Sequence, residues 1–276
     1  MTFSIVARST DGPGGEPCWG VAVASKFLAV GNAVPAAVAG IGALATQAEA
    51  NLSWKGIGLS LLDEGATAQV ALDRLLEEDD KRDHRQIGIV DVDGGAVTHT
   101  GSACYDWAGG ITGTDVAIQG NILAGPEVVE AMKSSWDASD PTAPLARRLL
   151  DALSAGDQAG GDKRGRQSAA LLVVSDGAGY GGMDDVAVDL RVDDAEAPIV
   201  ELARLLDLND LYLTASTEDE KVAITSELAT EIEGLVRAAG HPDLAAWTGT
   251  ENYEMRVADD GSWIDIRVLA ILRAGA

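Results

Sequence analysis

The chain has 276 residues, 44 acidic against 20 basic side chains, a net charge of −24 and a pI near 4.2. That charge argues against nucleic acid and anionic membrane surfaces as partners, since both carry the same sign. Hydrophobic residues reach 46% but aromatics only 4%, so the core must come from Ala, Val, Leu and Ile, at a length that suits one large domain plus a small one.

Residues 1–7 and 19–26 read as two short strands joined by the turn-rich loop Asp11–Pro17. Thr2 follows the initiator Met, and so small a second residue permits Met removal. The mature chain would then begin with a free α-amine, which titrates near ~8 and is partly neutral at pH 7. Such an amine can serve as base for the hydroxyl beside it, which makes Thr2 a candidate nucleophile. The alternative is an ordinary first residue of an edge strand. Lys26, ending the second strand, is placed to lower the pKa of that hydroxyl or amine.

Residues 27–48 are small, punctuated by Gly and Pro, and read as short strands. Gln47 ends the last of them and faces either a pocket or a loop. Helices are predicted over Lys55–Asp63 and Thr67–Glu78, with Asn51 and Thr67 as N-caps and Gly65 as a C-cap. The period then changes to two. Gln86–Val92 and Ala96–Thr100 flank Asp93-Gly94-Gly95 as a β-hairpin, and Asp115–Gly120 is another strand. At its end lie Gln119 and Asn121. Asn121 is either an oxyanion donor or a turn residue. Two more helices, Gly125–Ser134 and Pro144–Ala155, lead to the basic, Gly-rich loop Gly160–Gln167.

That loop lacks the Gly-Lys-Ser/Thr ending of a phosphate loop and precedes a strand, Ser168–Val174. Arg164 and Arg166, with Asp162 and Gln167 beside them, either grip a substrate carboxylate or pair internally with acids. Val186–Val192 closes the strand series, and Ala197–Tyr212 is helical. Strands, helix pair, strands, helix pair, strands is an order that suits an α+β fold of two antiparallel sheets between helix layers, a four-layer α-β-β-α sandwich. A polar break at 214–217 separates residues 1–213 from a small C-terminal α/β module, 214–276. There a helix over Glu218–Ala238 and a final turn with strand or helix are expected.

Cys18 and Cys104 are too few and too far apart for a disulfide framework and read as buried apolar residues. His84, His99 and His241 show no ligand spacing, so neither metal nor cofactor is expected. With no signal peptide and no uninterrupted apolar span, the chain reads as cytoplasmic.

Several segments together resemble a known family. They are Thr-Phe-Ser-Ile-Val-Ala-Arg at 2–8, Gly-Val-Ala-Val-Ala-Ser-Lys-Phe at 20–27, Ala-Thr-Gln-Ala at 45–48, Arg-Gln-Ile-Gly at 85–88, Trp-Ala-Gly at 107–109, Gln-Gly-Asn at 119–121 and Gly-Gly-Asp-Lys-Arg-Gly-Arg-Gln-Ser-Ala-Ala-Leu at 160–171. In that order, over residues 2 to about 212, they resemble the bacterial family called domain of unknown function 1028. That family is similar to the N-terminal-nucleophile (Ntn) hydrolases. Residues 213–276 resemble the small peptidoglycan-binding-like domain that accompanies some members. The resemblance implies amide hydrolysis, with Thr2, Lys26 and Asn121 as the catalytic set, and a small, acidic amide is the expected substrate if Arg164 and Arg166 anchor it. Gln47, Gln119, Asp162, Arg164, Arg166, Gln167 and Ser168 form the implied substrate-binding set. The scaffold suggests a homodimer through its helix layers. The competing expectation is a non-catalytic ligand- or partner-binding protein on the same scaffold.

Overall fold

A computed structural model describes residues 2–275. The chain divides into two compact units, Met1–Leu206 and Asp207–Ala276. The first unit lays down strands β1 (Thr2–Ser9) and β2 (Cys18–Ser25), a single helical turn α1 (Val30–Ala33), β3 (Pro35–Val38) and β4 (Gly42–Ala48). Helices α2 (Ser53–Asp63) and α3 (Ala68–Glu77) follow, then β5 (Arg85–Asp91), β6 (Ala96–Thr100), β7 (Gly109–Gly113) and β8 (Val116–Asn121). A second helix pair, α4 (Glu127–Ala138) and α5 (Leu145–Gln158), precedes β9 (Ser168–Ser175), β10 (Val186–Val192) and α6 (Pro198–Tyr212), of which residues up to Leu206 count with this unit.

The fold is mixed α+β, with two large antiparallel sheets. One has six strands in the order β10-β9-β2-β1-β8-β7, and the other four in the order β3-β4-β5-β6. Strand alternation assigns the faces. Phe3, Ile5, Ala22, Ile118 and Leu171 share one apolar cluster with Met132 of α4, Leu149 of α5 and Leu202 of α6. The other face of those strands supplies Val6, Val21, Val23 and Ala117, which cluster with Ala43, Ala45 and Val90 of the four-stranded sheet. The far face of that sheet, through Leu44, Ile87 and Ile89, packs on Trp54 and Leu62 of α2 and Leu72 and Leu75 of α3. Between the sheets the apolar residues are chiefly Ala and Val, which let two backbones approach closely, with Trp19 at one end donating from Nε1 to Asp91 O across the gap at 3.1 Å.

Residues 27–34, expected as strand, contain α1 instead. The Val30 N–H donates to Ser168 Oγ at 3.1 Å, and a Cβ on Gly31 would lie 2.5 Å from the Ala170 Cβ. The small residues there serve a close approach to β9 rather than a strand of their own. Strand β7, with three glycines in five residues, carries too little apolar alternation to be foreseen; it pairs with β8 as the sheet edge. Thr67 caps α3 by accepting the Val70 N–H, as expected, whereas Asn51 precedes the Leu52 cap of α2 and accepts the Ser53 N–H.

The second unit contains β11 (Lys221–Ala223), α7 (Ser226–Ala238), α8 (Leu244–Glu251), β12 (Trp263–Asp265) and α9 (Ile266–Gly275). The single helix expected over Glu218–Ala238 is interrupted. Thr217 and Glu220 form a reciprocal capping box on a short 3-10 turn, Lys221–Ala223 pairs with β12, and Thr225 caps α7. Ile232, Val236, Trp247, Ile264 and Leu269 make its core. Among the described residues no helix is long and apolar enough to cross a membrane.

Two titrating groups mark the first unit. Cys18 is buried, and burial pushes its thiol up to about 11, so it carries no thiolate at neutral pH. Asp79 follows α3, and its carboxylate receives Arg85 Nε at 3.0 Å, Asn51 Nδ2 at 2.8 Å and the Lys81 N–H at 2.8 Å. Burial pushes the Asp79 pKa up, but these hydrogen bonds and the Arg85 charge outweigh it and hold the pKa at about 2. The folded value lies below the unfolded one of ~3.9, so this stabilisation is present above that pH and is lost as pH falls toward the folded value. Acid denaturation of Asp79→Asn is therefore expected to show a shallower loss of stability between about pH 4 and pH 2 than the parent. Parallel pH–stability curves for the two proteins would rule the assignment out.

Candidate functional site

Strand register builds a polar row at one end of the six-stranded sheet. Thr2 is paired with Asn121, and Ser25 with Ser168. Thr2 Oγ1 lies 3.1 Å from Ser25 Oγ, and either hydroxyl can donate. The row Ser168, Ser25, Thr2, Asn121 thus crosses β9, β2, β1 and β8, on the face turned toward the other sheet. Two residues further along β1, Ser4 pairs with Gln119.

A second row faces it from the four-stranded sheet. Gln47 pairs with Gln86, and Gln86 with Thr100. Side chains of the two rows bond across the gap. Gln47 Nε2 donates to Thr2 O at 3.3 Å and to Gln86 Oε1 at 2.7 Å, while Ser4 Oγ donates to Gln47 Oε1 at 2.7 Å. Asn121 Nδ2 donates to Gln86 Oε1 at 2.9 Å, and Gln86 Nε2 donates to Gly120 O at 2.7 Å and to Thr100 Oγ1 at 2.8 Å. Gln119 Nε2 donates to Ser4 Oγ at 2.7 Å, but its Oε1 has no partner among the described residues. That oxygen would sit 2.0 Å from a Cβ on Gly88, so Gly88 is what admits the Gln119 side chain. The apolar inter-sheet core therefore ends in a buried amide layer.

The Gly-rich loop is tied to the end of β2. Asp162 Oδ2 accepts the Lys26 N–H at 2.6 Å, and its Oδ1 accepts the Arg164 N–H at 2.9 Å. Lys26 Nζ donates to Arg166 O at 3.2 Å, so the structure places this ammonium on the loop backbone rather than on Thr2. Arg164 Nη2 lies 3.4 Å from Asp162 Oδ2, and Arg166 Nε donates to Asp157 Oδ1 at 2.7 Å. Of the two readings of these arginines, the structure displays internal pairing. Gln167 Nε2 donates to Asp194 Oδ1 at 3.0 Å on the surface. Ser168 Oγ accepts the Val30 N–H and donates to Phe27 O, which positions the turn after Lys26. A cavity of about 10 Å3 lies here, lined by Phe3, Ser25, Asp162, Arg166 and Ser168 among others.

Just after Asn121, Ile122 has φ 50, a left-handed conformation that a β-branched residue adopts only under constraint. Its N–H donates to Tyr105 O at 2.9 Å and its carbonyl accepts the Lys163 N–H at 3.3 Å. The strained residue joins the Asn121 end of β8 to the loop 160–167. Thr2, Ser25, Ser168 and Asn121 thus come together, with Gln47, Gln86 and Gln119 behind them. Ser4, Ser25, Gln86 and Thr100 escaped the sequence reading. Ser4 alternates with apolar residues along β1, while Ser25, Gln86 and Thr100 are polar at or next to strand ends. Among the described residues no group of three His, Cys, Asp or Glu is placed to hold a metal ion.

The family described as "Family of unknown function (DUF1028)" matches residues 2–202. The chain belongs to this family. The crystal structure of protein SPO2555 from Silicibacter pomeroyi, also assigned to DUF1028, is 31% identical, with 76% of this chain aligned to 89% of that chain at a TM-score of 0.67. Anbu (ancestral beta-subunit) from Yersinia bercovieri aligns at a TM-score of 0.34 and 11% identity, over 75% of this chain and 93% of that one, a likeness too low to carry an argument. No curated protein matches the chain at a significant level. The DUF1028 match holds both polar rows and the loop at 160–167, and it ends at residue 202, before the second unit.

Proposed function

We propose that this DUF1028 protein is an Ntn-type amidohydrolase acting on a small, acidic amide, with Thr2 as nucleophile once Met1 is removed. Met1 itself lies outside the described residues. The observation that carries this reading is the position of Thr2, first in a central strand, its hydroxyl 3.1 Å from Ser25 and its backbone in register with Asn121. The three apolar clusters, helix against sheet, sheet against sheet, sheet against helix, support the four-layer α-β-β-α arrangement of such enzymes.

In this mechanism the freed Thr2 α-amine takes the hydroxyl proton, and Oγ1 attacks the substrate carbonyl. The Thr2 α-ammonium passes that proton to the substrate nitrogen, the C–N bond breaks and the substrate's amine departs, and water then hydrolyses the ester on Thr2. Asn121 Nδ2 has two hydrogens and gives one to Gln86; the second is available to the oxyanion. Arg164 and Arg166, their guanidinium groups partly exposed, would take the acid group of the substrate by exchange with Asp162 and Asp157. Lys26 would keep the loop in place through Arg166 O. The place of work on this reading is the cytoplasm, and the assembly a homodimer.

A second reading is favoured by the burial of Thr2. With the Thr2 hydroxyl buried and only about 10 Å3 of cavity at the Ser25–Ser168 end of the row, the scaffold would hold a ligand or partner without turning it over, the C-terminal module supplying a docking surface. One experiment separates the two. The protein is isolated from its native host, its intact mass is read for Met1, and the same sample is screened against small acidic amides. The hydrolase reading expects Met1 absent and activity that falls at least about a thousandfold in Thr2→Ala. Retention of Met1, or full activity in the variant, sinks it.

A further inference from the structure

An open cleft of about 230 Å3 lies in the first unit and shares no lining residue with the Thr2 row. Its wall is formed by α1, the start of β3, Lys55 of α2, Ala170 and Leu172 of β9, and Asp189 and Arg191 of β10. Asp189 and Arg191 stand two apart on one strand and so share a face. Arg191 opposes Ala170 in register, and Asp189 opposes Leu172.

Two cations thus converge in a protein of net charge −24. Lys55 Nζ donates to Asn32 O at 3.2 Å and has no carboxylate partner among the described residues. Arg191 Nε has only a loose ion pair, 3.6 Å from Asp193 Oδ1, and is partly exposed. Burial lowers the Lys55 pKa, and the Arg191 charge lowers it further, so the two groups repel each other across the cleft. Gly31 sets the Arg191 stem in place: a Cβ there would come within 3.0 Å of Arg191 Cγ. Both cations line the opening, with Asp189 in the same wall and Asp193 as the loose partner of Arg191.

We infer that the cleft between Lys55 and Arg191 binds a small monocarboxylate with a short apolar body. The carboxylate relieves the repulsion between the two cations by charge-assisted hydrogen bonds to both. Ala170, Leu172 and Pro35 offer the apolar contact. Asp189, on the same face, disfavours a dianion such as phosphate. The volume suits a molecule smaller than the occupants of ordinary ~300–1,000 Å3 ligand pockets. The site is independent of whether Thr2 is a nucleophile.

The test is a low-salt titration of the full chain, followed by amide chemical shifts at Gly31, Asn32, Lys55 and Arg191. Sodium butyrate is the probe, with inorganic phosphate and n-butylamine as controls. Butyrate should shift these amides saturably, and the controls should not at equal concentration. Lys55→Met and Arg191→Met should each weaken butyrate binding at least about tenfold, the weight of one charge-assisted hydrogen bond. Both variants should fold, since each removes one of two mutually repelling cations; an unchanged far-UV spectrum and melting midpoint check this. Asp189→Asn should bind butyrate at least as tightly as the parent. The inference is overturned by absence of saturable shifts, by phosphate binding as tightly as butyrate, by unaltered affinity in the two Met variants, or by weaker binding in Asp189→Asn. Charges on the outer strand β10 would then serve only to keep a sheet edge from pairing with another chain.

Discussion

Arg256→Ala is expected to unfold the second unit in most molecules. The Arg256 side chain is 1% exposed and that of Asp265 0%, and they meet at 2.9 Å between Nη1 and Oδ2. Every other donor of the guanidinium is also engaged. Nε donates to Leu211 O at 2.8 Å, Nη2 to Thr214 Oγ1 at 3.0 Å and to Asp210 O, and Nη1 also reaches Ser216 Oγ at 3.2 Å and Glu220 Oε2 at 3.3 Å. Burial drives the Asp265 pKa up, but the Ser216 hydroxyl, the Arg267 N–H and the charges of Arg256 and Arg267 bring it below its ordinary value. Truncating Arg256 leaves that carboxylate charged and buried without its main partner.

Breaking a buried pair from one side costs ~3–5 kcal/mol. A unit of about 70 residues has ~4–10 kcal/mol in all. The expected readout is proteolysis of the full-length variant within 214–262 under conditions where the parent resists. Arg256→Lys should fall nearly as far, because an ammonium cannot fork to so many acceptors. Arg256→Met with Asp265→Leu should recover much of the resistance, since both polar groups then leave together. Unchanged resistance in Arg256→Ala would show that the cluster is peripheral to the unit's stability.

Gln86→Leu is the second large effect. Its side chain accepts from Gln47 and Asn121 and donates to Gly120 O and Thr100 Oγ1, all inside the inter-sheet layer. Leucine strips a partner from each, and each buried polar group left unpaired costs ~1–3 kcal/mol. Gln47 keeps weaker contacts to Thr2 O and Gln119 O, so the expected total is ~3–5 kcal/mol rather than the full sum. The denaturant midpoint should fall with an unchanged slope. Gln119→Met is the contrast. Gln119 is equally buried but holds one hydrogen bond, to Ser4, and one orphaned oxygen, so its replacement should cost far less. Equal losses in the two variants would mean that volume, not hydrogen bonding, governs the layer.

How much of this was readable beforehand follows from where the information sits. Local period and caps exposed the helix pairs, the β5–β6 hairpin and the apolar strands, and their order pointed to two sheets with helices. Gln47, Gln119 and Asn121 could be singled out because each is polar at the end of an apolar run, Thr2 because it follows the initiator Met, and Ser168 only through the family resemblance. Their gathering into facing rows depends on register between strands more than 100 residues apart, as for Ser4 and Gln119, and no local pattern carries that. The partners of Arg166 and Lys26 were hidden for the same reason. Asp157 lies at the end of a helix, and the acceptor for Lys26 is a backbone carbonyl, which has no residue signature. The interrupted helix at 218–238 is a different failure: Thr217 and Thr225 are ordinary cap residues, outweighed in the reading by a long apolar stripe.

The amide layer also bears on how such a sequence can change over generations. A lone apolar replacement at Gln47 or Gln86 strands its neighbours, whereas joint replacement of the set by apolar side chains of like volume strands none. The positions are therefore epistatic: each substitution is harmful on the background that precedes it and neutral only on a background that has already moved. Gly88 belongs to the same block, because any side chain there meets Gln119. Single substitutions should accordingly be tolerated on the acidic surface and costly at these few buried sites.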